Sequence, residues 1–155
     1  MRAQLQILDL PVDRIEAELV AVPYFSNQRP LKGPAALLDW RLDGYLTRQL
    51  LDGEARGVKG DRYLVRSNGK ISSAWVMFVG CGELLPESPA AMQVVVDELI
   101  ASVAQAGFRQ IGVGLPAEES GQVSAWQQLL ENALKSLSTT LECQLSACDP
   151  SIYHN

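Results

Sequence analysis

Short apolar runs alternate along this chain with longer segments whose apolar residues recur every three or four positions. Three runs carry the signal: AELVAVPYF at 17–25, SAWVMFVG at 73–80 and QIGVGLP at 110–116. Continuous apolar runs of this length are typical of strands buried on both faces, as in parallel sheets. The intervening segments would then supply the helices that cover the sheet, so the pattern constrains the chain to an α/β fold.

Three helices follow from the periodicity. The first is predicted from Pro34 to Asp52, where leucines at four-residue spacing form one face and Gly53 stands just past the end. The second covers about 89–106 and is ended by Gly107, and the third covers about 119–137. Each has an apolar stripe wide enough to pack against a sheet.

Further strands are predicted at 4–9, 61–67 and 141–149. The turn sequence SNGK at 67–70 indicates that strands 61–67 and 73–80 are neighbours. We therefore predict one α/β domain over residues 1–155, with a three-layer α/β/α architecture and a short polar tail at 150–155. Its sheet would be mixed, mostly parallel and six-stranded, with about three main helices and an antiparallel strand at the N-terminal edge.

Composition limits the class of molecule. The chain has 155 residues, of which 47% are hydrophobic and 20% charged, which suits one soluble globular domain. No apolar run approaches the roughly 18 residues of a membrane span, and MRAQLQILDLPVDR is not a secretory signal pattern. We expect a cytoplasmic location and no membrane partner. The net charge of -5, without a Lys/Arg cluster on any predicted helix, makes nucleic acid an unlikely partner.

Cysteine and histidine usage offers little chemistry. Cys81, Cys143 and Cys148 are odd in number and lack CxxC spacing, and the one histidine is His154. We expect reduced thiols and no metal site.

The first candidate site is the turn between the second strand and its helix. Asn27, Arg29 and Lys32 lie there with Gly33, whose free amide would open the helix. Carboxyl ends of strands and helix N-termini are both places where α/β proteins bind anions. The alternative is a plain helix start, with Arg29 and Lys32 in solvent.

The second candidate is the sequence Gly80-Cys81-Gly82, which follows a buried strand. It is either a phosphate-cradling loop or a tight turn, and Pro86 and Pro89 interrupt its approach to the next helix. Cys81 as a nucleophile would need a partnering base, so a small packed thiol is favoured. Of the three tryptophans, Trp75 and Trp126 are expected in the core and Trp40 partly exposed.

The stretch from 17 to 83 resembles the N-terminal, non-catalytic domain of the cytosolic leucyl aminopeptidase family. The elements LVAVPYF, the helix from Pro34 to Asp52, GDRYLVRS and AWVMFVGCGE stand where that family has a strand, a helix and two further strands. The later elements follow in the expected order, so the resemblance covers essentially the whole chain. It implies a macro-domain-like fold, whose free-standing members often bind ADP-ribose or related nucleotides. Adenine recognition in that fold uses an acidic residue near the start of the chain, for which Asp9 is the candidate here.

The resemblance also implies what this chain would lack. The family's peptidase chemistry resides in a separate C-terminal domain with two metals held in motifs such as NTDAEGR, and no such motif occurs here. The acidic pairs Asp97-Glu98 and Glu118-Glu119 do not form a convergent carboxylate set. We therefore expect no catalytic residues, no cofactor and no enzymatic activity.

Two functions remain open at this point. The first is a non-catalytic interaction or regulatory domain that binds a protein partner or a copy of itself. The alternative is a domain that binds a small molecule such as ADP-ribose or a nucleotide, with Asn27, Arg29, Lys32, Gly33 and the Gly80-Cys81-Gly82 loop as ligand-binding residues. DNA binding, which some aminopeptidases of the family show through this domain, is disfavoured by the net charge of -5.

Overall fold

The structure is a computed structural model that describes residues 4–85, 88–116, 122–137 and 140–153. Its strands are β1 (Gln4–Leu8), β2 (Leu19–Tyr24), β3 (Arg62–Arg66), β4 (Trp75–Gly80), β5 (Gln110–Val113) and β6 (Glu142–Ser146). Its helices are α1 (Gly33–Arg41), α2 (Tyr45–Leu51), α3 (Pro89–Ala106) and α4 (Gln122–Lys135). Two 3-10 helices cover Val12–Arg14 and Pro150–Tyr153. None of the described helices combines the length and apolar character that a membrane crossing needs.

The sheet has the strand order β1-β6-β5-β2-β4-β3. Every neighbouring pair is parallel except β3 with β4, so the predicted six-stranded, mostly parallel sheet is confirmed. The prediction of an antiparallel strand at the N-terminal edge is wrong, because β1 pairs parallel with β6. The antiparallel edge strand is β3, which joins β4 through a short turn at Asn68 and Gly69, both with positive φ. A connection this short reverses the chain, so the predicted neighbours must run antiparallel.

Helices cover both faces of the sheet and complete the predicted three layers. Along β2, Val20 and Val22 face α1 and α2, whereas Leu19 and Ala21 face α3 and α4. This two-residue alternation of buried side chains divides the core into two clusters, one on each face. The predicted helix 89–106 coincides with α3, which Ser88 caps and Gly107 ends. The start predicted for the last helix, near residue 119, lies outside the described residues.

The helix predicted from Pro34 to Asp52 is wrong as a single element. The chain breaks between α1 and α2 at Asp43 and Gly44, which have φ of 59° and 76°. The buried carboxylate of Asp39 accepts hydrogen bonds from the amides of Leu46 and Thr47, at 2.6 and 3.2 Å. It thereby satisfies the free amides of a new helix start, which makes the break favourable.

The segment predicted as a polar tail is docked where the structure describes it. Pro150 is buried, and the Tyr153 hydroxyl lies within a directed chain of hydrogen bonds that ties this segment to two other parts of the fold. The Val12 amide donates to the Tyr153 hydroxyl at 3.0 Å, and that hydroxyl lies 2.8 Å from Ser146 Oγ. Ser146 Oγ in turn donates to the Leu10 carbonyl at 2.7 Å, so Tyr153 must donate to Ser146. The phenol therefore joins the last described residue to the loop after β1.

Candidate functional site

A cleft of about 600 Å³ opens where the parallel strands β2, β4 and β5 end. The segments that follow these strands form the floor of the cleft. The start of α1, the first turns of α3 and one face of α4 form its walls, and Tyr153 contributes from the C-terminal 3-10 helix. Both predicted candidate loops reach this cleft, because the carboxyl ends of parallel strands meet at one edge of a sheet.

The walls are mainly apolar. Phe25, Met92 and Trp126 are buried and form the deeper part. The Trp126 indole N–H donates to the Pro116 carbonyl at 3.0 Å, so the polar atom of this side chain has a partner. Trp126 is itself part of the cleft lining. The expectation that Trp126 is a core residue is confirmed, and the same side chain is also part of the cleft.

The mouth of the cleft carries exposed apolar side chains, which we call the rim and define as Leu84, Leu85 and Val94. Their exposed fractions are 36%, 54% and 37%. All three line the cleft, two from the loop after β4 and one from α3. Sequence reasoning did not single them out. The adjacent leucines after Gly82 were an available signal, since two apolar residues in a glycine-containing loop have no obvious core to enter.

Asn27 holds the two candidate loops together. Its side-chain amide donates to the Leu84 carbonyl at 3.0 Å, and its side-chain oxygen accepts from the Leu84 amide at 2.7 Å. A third bond, from the Ser26 amide to the Gly82 carbonyl at 2.9 Å, lies beside them. Asn27 therefore uses both polar ends of its side chain on the rim loop, behind the cleft lining.

Arg29 is likewise engaged by the backbone. Its guanidinium donates to the carbonyls of Phe25 and Gln28 at 2.9 and 3.0 Å. A longer hydrogen bond of 3.5 Å reaches the Arg56 carbonyl. These bonds fold the loop after β2 around the side chain. Arg29 is not among the residues that line the cleft.

Lys32 and Gly33 do line the cleft, at the first turn of α1. Gly33 has φ of 64°, a conformation that favours glycine, and Lys32 precedes it as an exposed N-cap residue without a side-chain capping bond. A second exposed lysine, Lys59, reaches the same cleft from the loop between α2 and β3. Sequence reasoning missed Lys59, because nothing in the local pattern places that loop beside the end of β4.

The Gly80-Cys81-Gly82 sequence has a packing role at its first position. Gly80 belongs to β4, and a Cβ built there would lie 2.3 Å from the Val58 carbonyl oxygen. Cys81 and Gly82 line the cleft. Burial, together with the nearby Glu98 carboxylate, raises the pKa of the Cys81 thiol to about 12. The thiol is therefore protonated at neutral pH and a poor nucleophile.

The structure thus brings together Lys32, Gly33, Cys81 and Gly82, out of the seven predicted ligand-binding residues. Asn27, Arg29 and Gly80 support the loops without lining the cleft. Asp9, the candidate for an adenine-binding acid, is exposed after β1 and is not part of the lining.

Other residues that the sequence analysis named lie away from this lining. Trp40 is exposed, as expected. The expectation that Trp75 lies in the core is wrong, because its side chain is only half-buried, with the Arg66 guanidinium 4.9 Å from its ring centroid. Within the described ranges, histidine, cysteine and acidic residues do not gather into a group of three that could hold a metal ion. His154 and Pro86 lie outside those ranges.

Comparison with known proteins relates the chain to one family of sequences and one group of folds. The N-terminal domain model of the cytosol aminopeptidase family matches residues 21–141. A probable cytosol aminopeptidase of Cyanothece sp. is 25% identical over 114 residues, which are 74% of this chain and 23% of that protein. Among solved structures, a mutant tomato leucine aminopeptidase superposes with a TM-score of 0.63 and 18% identity, over 94% of this chain and 32% of the other.

Macrodomains share the fold at lower identity. The Oceanobacillus iheyensis macrodomain with ADP gives a TM-score of 0.69 at 9% identity, covering 99% of this chain and 89% of that one. The Trypanosoma brucei macrodomain in complex with ADP-ribose gives 0.67 at 12% identity, covering 96% and 65%. The predicted macro-domain-like architecture is confirmed. The chain spans only 23% of the Cyanothece sp. protein and 32% of the tomato enzyme.

Proposed function

Since this chain belongs to the cytosol aminopeptidase family as an N-terminal domain, we propose that it is a non-catalytic interaction domain that recognises a protein partner through the strand-end cleft. The partner is a separate chain or a second copy of this one. A cytoplasmic location is part of the proposal, supported by the cytosolic name of the family, and cell fractionation would test it.

The rim is the observation that carries this proposal. Apolar side chains exposed singly on a protein surface are ordinary, but Leu84, Leu85 and Val94 share the mouth of one cleft. The deeper walls are apolar as well, so a partner that covers the rim would find further apolar surface beneath it. Burying such surface is the main favourable term in protein association.

The absence of catalysis is proposed on chemical grounds. Two-metal peptidase chemistry needs several carboxylates that converge on one site, and the sequence has no NTDAEGR-like segment that would supply them. The Cys81 thiol, which lines the cleft, has a pKa of about 12 and is therefore not activated. We expect the pure protein not to hydrolyse leucine amide with added manganese or zinc, and measurable turnover would contradict the proposal.

A capture experiment tests the role of the rim. The domain is immobilised as wild type, as Leu85→Asp and as the control Leu51→Asp, which alters a side chain that is 81% exposed in α2 and does not line the cleft. We expect proteins bound by the wild type to be retained by Leu51→Asp and lost from Leu85→Asp. Equal retention by both variants would sink the proposal. Sedimentation of the pure protein, with the same variants, checks self-association.

Nucleotide binding is the second candidate, and the position of the cleft favours it. Clefts at the carboxyl ends of parallel strands are where α/β proteins bind ligands, and about 600 Å³ falls within the usual range of small-molecule sites. Lys32 and Lys59 lie at this cleft, and the similar macrodomains carry ADP and ADP-ribose in their solved structures.

Thermal unfolding with saturating ADP-ribose, ADP and AMP distinguishes this candidate. A site filled to about a hundred times its dissociation constant adds roughly 2.7 kcal/mol, which raises Tm by about 5 °C or more in a domain of this size. No shift with any of these ligands would remove the nucleotide candidate.

A further inference from the structure

We propose that the cleft binds the C-terminal end of a partner polypeptide, with apolar side chains against its walls and the free carboxylate beside Lys32 and Lys59. The inference rests on the proposed function, because it assumes that the strand-end cleft is the recognition site. It adds the chemistry of the segment that is recognised.

The polar side chains of Asn27 and Arg29 in the cleft loops are already used within the protein. Both polar ends of Asn27 are bonded to Leu84, and the guanidinium of Arg29 is bonded to the carbonyls of Phe25 and Gln28. A ligand rich in hydroxyl and phosphate groups would have to break these bonds to use either side chain. The apolar walls and the two lysines, together with Gln28 and Glu83, are the parts of the lining that a ligand can use without breaking these bonds.

The apolar surface of the cleft has a stepped form. It has two levels, with Phe25, Met92 and Trp126 buried below the exposed rim of Leu84, Leu85 and Val94. One apolar residue can occupy the lower level while a preceding residue covers the rim. The volume of about 600 Å³ is that of a site for a drug-sized ligand, which suits a short peptide end and is too small for a docked helix.

The cleft lining differs in charge from the chain as a whole. The chain carries a net charge of -5, yet the described cleft lining holds Lys32 and Lys59 against a single acidic residue, Glu83. Within the described part of the chain, neither lysine forms an ion pair or a side-chain hydrogen bond. Lys32 also stands at the start of α1, where the helix dipole adds to its attraction for an anion.

One carboxylate next to apolar side chains is the chemistry that complements this combination. The end of a polypeptide supplies both in adjacent atoms, and capture of a C-terminal carboxylate is a recurrent mode of peptide recognition. An internal segment continues as polypeptide on both sides, so it would have to enter and leave the cleft. A chain end has to enter only.

The experiment uses fluorescein-labelled Gly-Ala-Leu-Leu, as the free acid and as the C-terminal amide, with the intact protein and fluorescence anisotropy as readout. We expect saturable binding of the acid and about tenfold weaker binding of the amide, a difference of roughly 1.4 kcal/mol. Lys59→Gln should weaken the binding of the free-acid peptide and leave the binding of the amide peptide unchanged. Leu85→Asp should weaken both peptides, and the control Leu51→Asp neither.

The outcomes separate this inference from the proposed function. Equal binding of acid and amide, or no saturable binding of either at millimolar protein, overturns the C-terminal inference. If the peptides fail while Leu85→Asp still abolishes partner capture, the interaction proposal stands and only the inference fails. If Leu85→Asp leaves capture unchanged and the peptides also fail, both are overturned.

Discussion

Two regions at the strand-end cleft follow opposite rules: the rim, and the packed backbone beneath the cleft at Gly57 and Gly80, which we call the base. Gly80 and the rim residue Leu84 are only a few residues apart in the chain. At the base, backbones are in contact: a Cβ on Gly80 would lie 2.3 Å from the Val58 carbonyl oxygen, and one on Gly57 would lie 2.6 Å from the Phe25 carbonyl carbon. At the rim, Leu84 and Leu85 extend into solvent. The fold therefore depends on the absence of side chains at the base, and recognition is proposed to depend on side chains at the rim.

This difference shows that the two properties can be altered separately. Substitutions at the base change the free energy of unfolding, because packed backbone cannot move away from an added atom. Substitutions at the rim change what the surface presents to a partner and leave the core untouched. From the base to the rim, substitutions are expected to have a decreasing effect on the free energy of unfolding.

Gly80→Ala should have the largest effect. The added methyl group meets backbone atoms that cannot rotate away, so we expect a loss of about 3 kcal/mol in the free energy of unfolding by urea denaturation. Gly69→Ala is the matched control, since Gly69 has φ of 79° but no atom within 4 Å of the added group. It should lose only about 1 kcal/mol, from the left-handed conformation alone. Equal losses would show that the base is not tightly packed.

The next effect is on the pH dependence of stability. Burial raises the pKa of Cys81 from 9.0 to about 12, so the thiol stays protonated when folded and ionises in the unfolded chain. The contribution of the Cys81 thiol to the free energy of unfolding is fully present below pH 9 and is lost as the pH rises from there towards 12.

Cys81→Ala tests the pH-dependent contribution of this thiol, with urea denaturation at several pH values as the measurement. Between pH 9.5 and 10.5 the wild type should lose stability faster than the variant, by about 1 kcal/mol per pH unit. The remaining cysteines and the tyrosines are common to both proteins, so they cancel in the comparison. Parallel pH profiles would contradict the assigned burial of the thiol.

Asn27→Ala probes the connection between base and rim. Removing the two hydrogen bonds to Leu84 should cost about 1 kcal/mol, since the bonds are exposed to water. The exchange rate of the Leu84 amide proton should rise more than that of the Ala91 amide, which Ser88 caps independently. Asn27→Asp keeps the acceptor for the Leu84 amide and should restore its protection in part. If the Leu84 amide exchanges equally fast in the wild type and in Asn27→Ala, the connection does not hold the loop.

Leu85→Asp should have the smallest effect. The side chain is more than half exposed, so we expect a change within about 0.5 kcal/mol of the wild type in urea denaturation. The control Leu51→Asp should behave in the same way. A loss well above that range would place Leu85 in the packed structure and remove the distinction between rim and base.

The fold was largely readable from the sequence because periodicity reports which faces are buried. The strands at 17–25 and 73–80 and helix α3 follow directly from it. The break between α1 and α2 was not readable. The leucine spacing continues across Asp43 and Gly44, and the capping by Asp39 depends on a turn of the chain that the spacing does not encode.

The candidate site was readable only in its location. Strand ends placed the loops after β2 and β4 at one edge, as the structure has them. The roles of Asn27 and Arg29 were not readable, because a polar side chain in a loop can face a ligand or a neighbouring carbonyl with the same sequence around it. Lys59 joins the cleft through the long connection from α2 to β3, whose path depends on the packing at Gly57 and Gly80.

The parallel pairing of β1 with β6 has a mechanical consequence. These are the first and last of the described strands, and their five register pairs run from Gln4 with Glu142 to Leu8 with Ser146. A force that pulls Gln4 and Ser146 apart acts along both strands in opposite directions, so it loads the hydrogen bonds between them in shear and all together. Single-molecule stretching between these positions should show one high-force event, whereas pulling β3 from β4 across their hairpin should open the pair bond by bond at lower force.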